Sequence, residues 1–128
     1  MKAIDRTFAW LLVIANTMHC LGCLKAFLHT SPDLLLWTEA TGIMGYLLPA
    51  VNLLRVNRPG DRGLAWVSAA GCVGWIVIAV WFGIGMGNIL DPRPLIQSML
   101  ALALLGFSLR TALGRAGYSA MKSAGAPA

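Results

Sequence analysis

Asn16, His19, Cys20 and Cys23 stand together in the run "NTMHCLGC", inside an otherwise apolar stretch. At about 100° per residue, their side chains share one arc of roughly 100° on a helix. The run therefore presents a polar and thiol stripe on a single face. Cys-x-x-Cys spacing sets both sulfurs on one side, where thiolate and imidazole suit a soft metal ion. The pair could also cycle between dithiol and disulfide. Three ligands, with Asn16 a poor fourth, fall short of the roughly four that a closed structural zinc site wants. The same residues also serve packing, because free cysteine is a buried small residue and polar side chains join membrane helices by hydrogen bonds. Both uses stay open. Lys25 points to nearly the opposite face, with His29 beside it.

Glu39 is the second candidate, since an ionisable group among apolar residues needs a partner or a pathway. Counted back from the turn at His29–Asp33, Glu39 and Lys25 lie at similar depth on adjacent helices. An ion pair between them would neutralise both charges. Alternatively, Lys25 snorkels to the headgroups and Glu39 faces the Asn16/His19/Cys23 stripe as a proton acceptor. Asn88 and Gln97 add polar groups at the same level. Gly83, Gly85 and Gly87 do not make a phosphate loop, because no strand precedes them and no Lys-Ser/Thr follows. Covalent haem attachment needs a histidine after the Cys pair, and His19 precedes it. No complete nucleophile–base–orienter set emerges, so the reading leans away from an enzyme.

A first-span Cys pair in a small four-helix membrane protein resembles the mercuric-ion transporters of bacterial resistance systems. The likeness rests on Cys20 and Cys23 and on the general architecture. It implies that these cysteines accept the metal as it crosses the bilayer. Lys25, two residues past the pair, and the lack of a second Cys pair depart from that pattern.

The elements that must position these residues are membrane spans. Of the 128 residues, 58% are hydrophobic and only 12% charged, about half the charge fraction of a soluble domain. The apolar residues form long runs, and a bilayer core of about 30 Å needs about 20 of them per helix. Spans are expected over about 4–28, 34–56, 64–90 and 95–113, with 114–128 a flexible tail. The apolar length of the first span exceeds a signal-peptide core, so it is read as an uncleaved helix. Pro32, Arg58-Pro59-Gly60 and Asp91-Pro92 mark the turns. Pro49 should kink the second span, a defect that bundle neighbours tolerate.

Lys2, Arg6, Arg55, Arg58, Arg62, Arg110, Arg115 and Lys122 fall on one side of such a chain, and only Lys25 and Arg93 on the other. By the positive-inside rule both termini are cytoplasmic. The net charge of +5 thus reports topology, and no nucleic-acid partner is expected. Short connections make neighbours antiparallel. The expected fold is an all-α, up-down four-helix transmembrane bundle in a bacterial inner membrane, with the bilayer and other membrane subunits or further copies as partners. Trp10, Trp37, Trp66 and Trp81 are expected near the interfaces, with Trp75 packed between helices. On span 2, Thr38, Thr41, Gly45, Pro49 and Asn52 share a small or polar face, as do Ser68, Gly71, Cys72 and Ala79 on span 3. These faces allow close packing.

Two activities follow as expectations. One is a non-enzymatic transporter, binding protein or accessory subunit. It would carry an outward polar pocket, mainly between spans 1 and 2, drawn from Asn16, His19, Lys25, Glu39 and Gln97. The other is soft-metal or thiol-redox handling through Cys20, Cys23 and His19, with a soft metal ion as the cofactor.

Overall fold

The computed structural model describes residues 2–29 and 31–114. Those residues form four helices, α1 (Lys2–Phe27), α2 (Pro32–Asn57), α3 (Arg62–Gly85) and α4 (Pro92–Leu113), and no strand. All four are long and apolar enough to cross a membrane. The expected tail, beyond Gly114, lies outside the described residues.

Local chemistry sets the boundaries. Pro32 opens α2 and Pro92 opens α4, at positions where a missing N–H is harmless. The Asp61 carboxylate caps α3 by accepting from the Leu64 N–H at 2.9 Å, and the Asp91 carboxylate caps α4 through the Arg93 N–H at 2.9 Å. Span 3 was expected to reach Leu90, but α3 stops at Gly85. Gly87 adopts φ 69°, a left-handed conformation that glycine takes without steric cost. Asn88 then accepts from the Leu90 N–H, so residues 86–91 make a turn. α2 runs on through Pro49.

The helices close a ring, with α1 on α2 and α4, α3 on α2 and α4, and α2 touching α4 across the middle. The start of α1 and the end of α2 meet the start of α3 and the end of α4, as Asp5, Arg55, Ser68 and Ser108 show by their hydrogen bonds. This is the Arg55 end. The other is the His19 end, where His19 packs edge-on against Phe82 of α3.

The distribution of side chains is inverted relative to a water-soluble globule. Asp5, Asn16, Asn52, Arg55, Ser68, Gln97 and Ser108 are buried, alongside alanines. The exterior carries leucine, isoleucine, valine and tryptophan, with Trp37 72% and Trp81 75% exposed. Contiguous apolar surface on this scale belongs against lipid or another chain. Trp10 and Trp66 are exposed as well, while Trp75 sits half-buried between helices.

Three layers stack along the bundle. A polar layer occupies the Arg55 end. An apolar plug of Ala9, Leu12, Leu48, Cys72, Ala101 and Leu104 fills the middle. A second polar layer follows at the His19 end.

Candidate functional site

The His19 end is built on a close crossing of α1 and α2. Gly42 and Gly45 bring the backbones together: a methyl at Gly42 would strike the Cys20 sulfur, and one at Gly45 would lie 2.6 Å from the Trp75 ring and against the Asn16 amide. The Asn16 Nδ2 donates to the Gly42 carbonyl at 2.7 Å. Its Oδ1 is buried with no partner. Beside it, Thr17 and Tyr46 share a 2.7 Å hydroxyl hydrogen bond.

Trp75 of α3 donates to the Gln97 Oε1 of α4 at 2.9 Å. Above that bond a cleft of about 50 Å³ is lined by His19, Thr41, Trp75, Phe82, Arg93 and Gln97, among others. Its walls come from every helix, α3 and α4 most of all. The expected pocket lay mainly between spans 1 and 2; this cleft draws most of its wall from α3 and α4. The glycine contacts seal α1 against α2, and the open seam lies across the bundle.

Asn16, His19, Cys20 and Cys23 do share an inward-facing side, with Asn16 buried and the others half-buried. Cys23 Sγ lies 3.6 Å from His19 Nε2, one helical turn apart. Cys20 instead packs on Gly42. Among the described residues no group of three His, Cys, Asp or Glu side chains stands close enough to hold a metal ion.

Glu39 is half-buried, within electrostatic reach of His19, Cys20 and Cys23, and its Oε1 is buried without a partner. The pairing with Lys25 fails. Lys25 is exposed, and the ion pairs among the described residues are Arg55–Asp5 and Arg93–Asp91.

Arg93 is engaged by Asp91 through two side-chain bonds of 2.9 Å. That guanidinium, with the Arg93 backbone N–H, lowers the Asp91 carboxyl from an ordinary 3.8 to about 2.

The Arg55 end carries a network that sequence reasoning missed. Arg55 is 1% exposed. One terminal nitrogen donates to Asp5 Oδ1 at 2.6 Å and Asn52 Oδ1 at 3.3 Å. The other donates to Thr111 Oγ1 at 3.0 Å and the Phe107 carbonyl at 3.3 Å. Asn52 Oδ1 also accepts from Ser68 at 2.9 Å and Ser108 at 3.3 Å. All four helices meet in these bonds. Only the Arg55 Nε is left without a partner. The signal was present in the sequence: Asp5 and Arg55 are opposite charges at matching depth on neighbouring antiparallel helices.

No protein-family model, curated protein or solved structure matches this chain.

Proposed function

We propose that this chain is a multi-pass membrane protein of the inner membrane that acts by binding, as a small transporter or binding subunit, with the His19 end facing outward. The carrying observation is the pair of buried acceptors at that end, Asn16 Oδ1 and Glu39 Oε1, left without donors. A buried polar atom without a partner costs about 1–3 kcal/mol, so a ligand bearing N–H donors is favoured there. Trp75 and Phe82 in the cleft wall suit a cation, which an aromatic face attracts. A cleft of about 50 Å³ admits one small group. A primary ammonium group suits the orphaned acceptors and, separately, the aromatic cleft wall at the same end, whose lining does not include Asn16 or Glu39.

The test is a thermal-shift screen of the detergent-purified protein against small ammonium, neutral and anionic compounds. Ammonium compounds should stabilise it most, and Glu39→Gln should remove that preference while leaving the unliganded melting point near wild type. Equal response to all classes, with a second membrane subunit co-purifying, would favour an accessory role instead.

A second reading is soft-metal handling, in keeping with the resemblance to mercuric-ion transporters. The contact between Cys23 and His19 favours it, since soft ions accept few, soft ligands. Cys20→Ser with Cys23→Ser should then abolish uptake of a soft metal in cells. Unchanged uptake leaves the thiols with packing alone.

A further inference from the structure

Sorted by partner, the hydrogen bonds between helices divide the bundle into two pairs. α1 is tied to α2 near both ends. Asp5 accepts from Arg55 at 2.6 Å and Asn57 from Arg6 at 2.9 Å; further along, Asn16 donates to the Gly42 carbonyl and Thr17 shares a bond with Tyr46. α3 is tied to α4 in the same way, by Arg62 on the Ala112 carbonyl, Ser68 with Ser108, and Trp75 on Gln97. The bonds that cross from one pair to the other gather on two residues of α2. Asn52 bonds with Ser68, Cys72 and Ser108, and Arg55 with Thr111 and the Phe107 carbonyl. Both residues lie toward the Arg55 end. At the His19 end the pairs meet through rings: His19 stands edge-on to Phe82, and Trp75 lies over Gly45. The cleft of about 50 Å³ lies on that line, with His19 and Thr41 contributed by one pair and Trp75, Phe82, Arg93 and Gln97 by the other.

We propose that the two pairs part at the His19 end, pivoting on Asn52 and Arg55, and so open the cleft. The lipid solvent decides which contacts give way. Acyl chains are as apolar as the side chains they would replace, so apolar contact alone holds membrane helices weakly. A hydrogen bond broken in hydrocarbon finds no such substitute. The ring contacts at the His19 end can therefore be exchanged for lipid, and the bonds of Asn52 and Arg55 cannot. α2 is weakest between the two regions. Pro49 lacks the N–H that would bond the Gly45 carbonyl. It stands between Tyr46, which bonds α1, and Asn52, which bonds α3 and α4. A tilt of about 10° is within the ordinary scatter of helix packing angles. About Arg55 it carries the start of α2, about 34 Å away, through about 6 Å. Admission of a ligand rests on the binding role proposed above; the opening itself does not.

The experiment is double electron–electron resonance on the full chain in phosphatidylcholine nanodiscs. Nitroxides at Leu24→Cys and Ile84→Cys span the seam at the His19 end, and nitroxides at Ile4→Cys and Val67→Cys span it at the Arg55 end. All four positions are exposed. Native thiols are removed by Cys20→Ala, Cys23→Ala and Cys72→Ala. Should that lower the melting point, a keto amino acid at the same four positions carries the label in the native chain. The outer pair should give two distances, or one distribution wider by about 6 Å, against a single narrow distance for the inner pair. Pro49→Ala restores the missing N–H and should narrow the outer distribution while leaving the inner one unchanged. An outer distribution as narrow as the inner one overturns the proposal, and so does equal broadening at both ends. Methylammonium, added as the probe, tests the binding role separately. Bridging the two walls, it should raise the short-distance population. A broad outer distribution that methylammonium does not shift upholds the opening and removes the ligand. Thermal stabilisation by methylammonium with a narrow outer distribution upholds the ligand and overturns the opening.

Discussion

Arg55 is the most consequential single side chain in this interior. Its guanidinium is buried and bonds groups from α1, α2 and α4. Removing one partner of a buried pair strands the other charge, at a cost of about 3–5 kcal/mol. Asp5→Asn should therefore lower the thermal midpoint in detergent strongly. Asp5→Leu combined with Arg55→Met should recover much of that loss, because an apolar pair leaves no charge to solvate. A double variant no more stable than Asp5→Asn would mean the pair is worth more than its absence. From sequence, the positive-inside rule counts Arg55 with its neighbours Arg58 and Arg62 without asking which one turns inward; only the matching depth of Asp5 on the neighbouring helix sets Arg55 apart. At the other end, the Asp91 carboxyl is held at about 2 against an ordinary 3.8. A depressed carboxyl stabilises the fold above its ordinary pKa and loses that contribution as pH falls toward the depressed value. Stability should thus decline between about pH 4 and pH 2, and Asp91→Asn should flatten that part of a melting-point-versus-pH curve. An unaltered slope would remove Asp91 as its source.

Among the elements, the crossing of α1 and α2 rests on absent side chains. Gly45→Ala would place a methyl 2.6 Å from the Trp75 ring and against the Asn16 amide, and overpacking of this kind costs about 1–3 kcal/mol. Gly22→Ala and Gly74→Ala meet nothing within 4 Å. They should be neutral or stabilising by up to about 1 kcal/mol, as alanine favours helix over glycine. Parallel melts of the three variants in one detergent check the contrast, and similar losses at all three would mean the crossing is loose. The helices themselves were legible, since apolar length, proline and aspartate punctuation set their bounds to within a few residues. The exception, the end of α3, turned on the left-handed conformation of Gly87, which a run of alternating glycines does not reveal. Legible too was the shared face of Asn16, His19, Cys20 and Cys23, because helical period is local. What they face was not, because it depends on which helices the glycines draw together. The seam of the cleft therefore fell on α3 and α4, where Trp75 meets Gln97.

At the scale of the molecule, the charge asymmetry predicts orientation. Single cysteines placed at Gly60 and at Asp33 in a chain lacking its native cysteines should differ in labelling of intact cells by an impermeant thiol reagent. Asp33→Cys should react and Gly60→Cys should not; the opposite pattern would invert the topology. The inverted interior has a further consequence, for biogenesis. In the proposed membrane topology, helices inserted in chain order place Asp5 in the bilayer before Arg55 is made, and Arg55 before Thr111 and the Phe107 carbonyl. Each emerging helix therefore carries a thermodynamic debt that only a later one discharges. A chain stopped short of α4 would lack the Thr111 and Phe107 acceptors of the Arg55 guanidinium and leave that charge only partly solvated.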